Sequence, residues 1–113
     1  MQTVEQTILR HLIHNEEFSR KVSPFLRSEY FSDRCDKVVF EMASNFISTY
    51  NSLPATEALH ITLGERKDLT QAEFDGCTEM LNNMKEKPEE VKQDWLFDTT
   101  EKFCQQRAVY NAI

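Results

Sequence analysis

The sequence predicts an all-α fold, a compact bundle of about six helices with a long C-terminal helix. Apolar residues repeat at helical spacing, and strict apolar/polar alternation is missing. Only two glycines and three prolines occur in 113 residues, which fits helices joined by short turns better than a strand-rich fold. Eight Phe, three Tyr and one Trp contribute to an apolar content of 40%, enough for the core of one domain.

Two short helices are predicted at the start of the chain. Residues 3–6 read Thr-Val-Glu-Gln, the pattern of a capping box, in which a threonine and a residue three positions later cap each other's backbone. Apolar residues then recur at helical spacing to about His14. Asn15 is a favourable cap for a second helix, and Pro24 ends it because proline cannot continue a helical hydrogen-bond ladder.

A helical turn and a longer helix follow. Residues 28–31 (Ser-Glu-Tyr-Phe) predict the turn, and Ser32 with Asp33 starts the third helix with a capping side chain. The apolar pattern continues to about Tyr50. Residues 51–54 (Asn-Ser-Leu-Pro) then break the helix.

Two further helices are predicted in the middle of the chain. The first is short, carries apolar residues over 58–63, and has Gly64 as its expected left-handed terminator. A second capping box at residues 70–73 (Thr-Gln-Ala-Glu) opens the next helix. Residues 87–90 (Lys-Pro-Glu-Glu) separate it from the last one.

The final helix is predicted from about Glu89 and has no stop signal before the last residue. We therefore expect a globular helical subdomain over residues 1–87, and over 88–113 the first arm of a truncated helical hairpin, the whole being one domain of a longer protein. Apolar side chains occur on more than one side of this helix, so we expect a second packing partner. The predicted packing or interface residues are Trp95, Phe103, Tyr110 and Ile113.

Candidate chemistry is sparse. Gly64 and Gly76 stand alone and precede no Lys-Ser/Thr pair, so the chain lacks a phosphate-binding loop. His11 and His14 lie three residues apart without a second ligand cluster, and we interpret them as surface or rim histidines rather than metal ligands. Paired carboxylates, such as those of residues 89–90, are expected in the first turns of helices, where they favour the helix dipole.

Charge and cysteine usage narrow the class of protein. A net charge of −6 argues against broad nucleic-acid contact, which needs a dense basic surface. Cys35, Cys77 and Cys104 are odd in number and fall in helical stripes, which favours reduced core thiols over a disulfide framework. No membrane-spanning run or secretory segment is recognisable.

Several segments together resemble the DnaB-like replicative helicases. The family's opening Glu-x-x-hydrophobic-Leu helix, its aromatic turn and the helix after it, and its short following helix correspond to residues 4–13, 30–42 and 53–59. The resemblance is strongest for the T-even phage branch. There, a Ser-Glu-Tyr-Phe turn, a Pro-x-x-x-Ala-Leu helix and a Trp-Leu…Thr-Glu-Lys…Gln-Gln-Arg-Ala helix recur, which stand here at residues 28–31, 54–59 and 95–108.

This resemblance implies a non-catalytic amino-terminal collar domain of a ring-shaped DNA helicase. It implies that ATP and magnesium bind in a RecA-like motor domain of the parent protein, and that this chain holds no catalytic, cofactor-binding or metal-binding residue. Expected partners are further copies of the chain, a primase and a helicase loader, with DNA contacted through the motor domain, in the cytoplasm of an infected bacterium. The alternative hypothesis is a free-standing helical adaptor or regulatory protein of a phage.

Overall fold

The computed structural model describes residues 3–112 and is all-α over this range. The helices are α1 (Val4–His14), α2 (Glu16–Val22), α3 (Arg34–Tyr50), α4 (Thr56–Glu65), α5 (Gln71–Asn83) and α6 (Gln93–Ala112), with a 3-10 turn over Ser28–Tyr30. The predicted fold class, the six helices and the long last helix are therefore confirmed for the described part of the chain.

Capping side chains set most helix starts where the sequence predicted them. Thr70 Oγ1 accepts from the backbone N–H of Glu73 at 3.1 Å, and the Glu73 carboxylate accepts from the backbone N–H of Thr70 at 2.9 Å. The same reciprocal pair is present at Thr3. Asn15 and Asp33 each accept a backbone N–H three residues ahead, which satisfies amides that would otherwise lack partners.

Helix α3 forms the centre of the bundle, packing against α1, α4 and α5. Phenylalanine rings in contact extend the core from α3 toward α6, since the Phe31 ring lies 5.1 Å from that of Phe40 and 5.5 Å from that of Phe103. The largest fully buried side chains are Phe18, Phe31, Ile8, Leu9, Leu12, Leu59, Leu63, Leu81, Leu96, Val38, Val39 and Cys77.

The prediction that Gly64 ends the fourth helix is wrong. Helix α4 continues through Gly64 to Glu65, and no described glycine has a positive φ. The helix ends instead at the extended residue Arg66, whose backbone N–H donates to Leu63. The Arg66 guanidinium also donates to an Asp68 carboxylate oxygen at 2.7 Å, and this pair fixes the chain as it leaves the helix.

The predicted start of the last helix near Glu89 is also wrong, because α6 begins at Gln93. Residues 85–92, which we call the strap, cross over α1 without forming a helix. Arg10 Nε donates to the carbonyl of Glu86 at 3.1 Å, and Val91 packs on the core. The carboxylates of residues 89–90 are accordingly exposed on the strap rather than placed in the first turn of α6.

Candidate interaction surface

Helix α6 buries one narrow face. Leu96, Thr100 and Phe103 are the buried residues of this helix, and they follow i, i+4, i+7 spacing. The Thr100 hydroxyl donates to the carbonyl of Leu96 at 2.8 Å, so its polar group is satisfied inside the domain. At about 100° per residue, this leaves apolar side chains on both flanks of the buried face.

The structure separates the four predicted interface residues. Phe103 is 6% exposed and stacks near Phe31, so its ring belongs to the core of the domain itself. Trp95 is 51% and Tyr110 is 71% exposed, on the same flank of α6. Fifteen residues apart, they are separated by about 22 Å along the helix axis. Ile113 lies outside the described residues.

The exposed end of α6 is held against the body of the domain by polar contacts. The Arg107 guanidinium donates to Ser32 Oγ at 3.3 Å, and the Asn111 side-chain amide donates to the carbonyl of Glu29 at 3.0 Å. Tyr110 is 71% and Val109 is 64% exposed on this stretch. Two large apolar side chains are thus presented to solvent on an anchored helix.

The opposite flank of α6 borders an apolar groove that sequence reasoning missed. Its volume is about 560 Å³. It is lined by Lys21, Val22, Phe25, Tyr30, Phe97, Thr100, Glu101, Cys104, Gln105 and Ala108. Lys21 Nζ lies 4.7 Å from the centre of the Phe97 ring, and Phe25 is 68% exposed at the edge. The available signal was the adjacent apolar pair Phe25 and Leu26 after Pro24, of which one member had to face outward.

The interpretation of both histidines as surface residues is wrong for His11, which is only 4% exposed. Its ring packs edge-on to Phe18, and its Nδ1 has no hydrogen-bond partner among the described residues. Burial, with His14 and Arg10 close by, lowers the pKa of His11. His14 is half-buried, and its Nε2 lies 2.7 Å from the carbonyl of Met84. Within residues 3–112, no group of three potential side-chain ligands could hold a metal ion.

A buried carboxylate lies at the start of α3. Asp36 is 4% exposed, and its Oδ1 has no hydrogen-bond partner within the described chain. Burial, followed by the charges of Asp33 and Glu5, raises the pKa of Asp36 to about 6. Among the described hydrogen bonds, none joins Asp36 to an acid–base or nucleophilic partner. We therefore interpret the buried carboxylate as a group that lowers the stability of the fold rather than as part of a reaction.

Among the helices of residues 3–112, none combines the length and the apolar character that a membrane span requires. No family model matches the sequence. The chain is similar to the DnaB-like replicative helicase of Enterobacteria phage T4, with 35% identity over 107 residues, which are 95% of this chain and 22% of the relative. The chain thus spans about a fifth of the length of that relative. The resemblance that residues 28–31, 54–59 and 95–108 predicted, to the DnaB-like replicative helicases of the T-even phage branch, is confirmed.

Proposed function

We propose that this chain is the non-catalytic N-terminal assembly and docking domain of a phage replicative DNA helicase. The main support is the 35% identity to the phage T4 helicase across nearly the whole chain. The proposal places the protein in phage DNA replication, in the cytoplasm of the infected bacterium. ATP and magnesium would act in the motor domain of the parent protein, which would also contact DNA.

The surface of α6 supports an assembly role. Trp95 and Tyr110 expose aromatic area on one flank of an anchored helix, and exposed aromatic residues are enriched at protein interfaces. We infer that this flank binds a further copy of the chain. Contact between these domains would raise the effective concentration of the motor domains attached to them, and this favours assembly of the motor domains into a ring.

The lack of catalytic machinery in the sequence supports a docking role over an enzymatic one. Gly64 lies within α4 and Gly76 within α5, so neither belongs to a loop whose backbone amides could surround a phosphate. A primase and a helicase loader are the proposed heterologous partners.

The test is a measurement of molar mass by light scattering over a range of protein concentrations. The chain is expected to self-associate, and the double variant Trp95→Ala, Tyr110→Ala is expected to be monomeric while still folded. Tyr50→Ala is the matched control, because Tyr50 is 65% exposed but lies on α3. A monomer at the highest concentrations, or equal weakening by the control, would contradict the assembly role.

A nucleotide-turnover assay tests the non-catalytic part of the proposal independently. The purified chain is expected to release no phosphate from ATP above the buffer background. Turnover that copurifies with the folded chain through successive columns would show an active site within these residues.

A further inference from the structure

Helices α3 and α5 come into close contact where Cys35 faces Gly76. A Cβ atom built on Gly76 would lie 3.0 Å from the Sγ of Cys35, which is tighter than ordinary van der Waals contact. Because Gly76 has no side chain, it leaves the space that the Cys35 thiol occupies. A glycine inside a helix lowers the stability of the helix by about 1 kcal/mol relative to alanine.

The next residue of α5 brings a second thiol to the same place. Each of Cys35 and Cys77 shifts the pKa of the other, which places the two side chains close together, and the Cys35 thiol donates to the carbonyl oxygen of Glu73 over 3.8 Å. Both cysteines are free. The Cys35 thiol thus occupies the space left at Gly76, directly beside Cys77 on the packed helix α5, a position from which the two sulfurs can approach bonding distance.

The two thiols differ in their access to solvent. Cys35 is half-buried and lines an open cavity of about 460 Å³, whereas Cys77 is fully buried. A small oxidant therefore reaches Cys35 first, and Cys77 is positioned to react second. Cys104 is half-buried on α6 and lines the apolar groove instead, so it shows how an accessible thiol at a different site reacts.

We propose that Cys35 and Cys77 form a hydroperoxide-dependent disulfide, a modification site that goes beyond the proposed function. Cys35 loses its proton to water in the cavity, and its sulfur attacks one peroxide oxygen. The O–O bond breaks, giving a sulfenic acid on Cys35 and releasing an alcohol or water. The Cys77 sulfur then attacks the Cys35 sulfur, the S–O bond breaks, and the departing hydroxide leaves as water with the Cys77 proton. In total, the two thiols lose two electrons, and these electrons reduce one hydroperoxide.

Electrostatics set the speed of this reaction. Burial raises the pKa of Cys35, the neighbouring Cys77 lowers it by a smaller amount, and the carboxylates of Asp33, Asp36 and Glu73 raise it again. Burial, with the neighbouring Cys35, raises the pKa of Cys77 to about 12. Because the thiolate is the nucleophile, the disulfide forms slowly at neutral pH and faster as the pH rises.

The experiment exposes the folded chain to hydrogen peroxide and counts free thiols, followed by peptide mass spectrometry without reduction. Two thiols are expected to be lost to a peptide linked through Cys35 and Cys77, with Cys104 outside the linkage. Dithiothreitol should restore all three thiols. The oxidised chain should unfold at a higher temperature, because the new bond restricts the unfolded chain.

Serine variants supply the controls, each checked for helicity by circular dichroism. Cys104→Ser is expected to form the same linked peptide at the same rate. Cys35→Ser and Cys77→Ser are expected to form none. The proposal is overturned if Cys104 enters the disulfide, if linkage is only between chains, or if peroxide that oxidises the urea-unfolded chain leaves the folded thiols unlinked. The wild-type and Cys104→Ser peptide maps decide the question even where another variant does not fold.

Discussion

Replacing Asp36 with asparagine should stabilise the domain. The carboxylate is buried at the start of α3, and its Oδ1 has no hydrogen-bond partner in the described chain. Burial, with Asp33 and Glu5 next in importance, raises its pKa to about 6 from an ordinary value of 3.8. Folding at neutral pH therefore confines a charge that the unfolded chain leaves in water.

The size of the effect follows from the pKa shift. A shift of about two pH units corresponds to about 3 kcal/mol at pH 7. The Asp36→Asn substitution removes the charge but keeps a buried amide that costs about 1 kcal/mol, so a net gain of about 2 kcal/mol is expected. For a domain of this size, that gain is roughly 8 °C in the unfolding midpoint.

The pH dependence has a definite sign. A carboxyl whose pKa is higher in the folded state takes up a proton more readily when folded, so its destabilising effect is full above pH 6 and fades as the pH falls toward 3.8. The stability difference between Asp36→Asn and the wild type should therefore shrink by about 2 kcal/mol between pH 7 and about pH 4.5.

Urea unfolding followed by circular dichroism at both pH values measures this difference. Asp98→Asn is the matched control, because Asp98 is exposed on α6, and it should shift stability by less than about 0.5 kcal/mol. An Asp36→Asn variant that is no more stable than the wild type at pH 7, or whose added stability does not depend on pH, would contradict a buried charge at this position.

Four other substitutions test the packing and capping described above. Phe103→Ala should lower the free energy of unfolding by about 3–5 kcal/mol in urea, because it empties a core position. Tyr110→Ala on the exposed part of α6 should change it by less than about 0.5 kcal/mol. Equal effects would contradict the assignment of buried and exposed faces on α6. Thr70→Ala should lower the unfolding free energy by about 1 kcal/mol through loss of the α5 cap, and an unchanged midpoint would show that the cap contributes nothing. Gly76→Ala should destabilise the wild type by about 1 kcal/mol through contact with Cys35 but stabilise a Cys35→Ala background, and the same sign in both backgrounds would exclude that contact.

Local signals were sufficient to predict most helix boundaries. The capping boxes at Thr3 and Thr70, and the caps Asn15 and Asp33, act within four residues of the chain, so each sequence pattern carries nearly all of the relevant physics. The end of α4 involves ion pairs instead of a glycine. Arg66 pairs with Asp68 two residues ahead and with Glu41 on α3, and single-sequence periodicity does not reveal either contact.

The inner face of α6 could be predicted only in part. The predicted packing or interface residues include Trp95, Phe103 and Tyr110, whereas the buried face is formed by Leu96, Thr100 and Phe103. Thr100 is a polar residue, but its hydroxyl donates to the backbone of its own helix. A hydrophobicity pattern therefore does not identify it as a buried residue. The groove beside Phe97 combines side chains from α2, the 3-10 turn and α6, and no segment shows it alone.

The strap and the residue before it are held by α1 through bonds to main-chain atoms. Arg10 contacts the carbonyl oxygen of Glu86 in the strap, and His14 contacts that of Met84 just before it; every amino acid supplies a carbonyl oxygen at those positions. Related sequences can therefore vary freely at 85–87 while the path of the chain is retained. We therefore expect substitutions to be tolerated least at Arg10 and His14, although both lie at least seventy residues along the chain from the carbonyl oxygens that they contact.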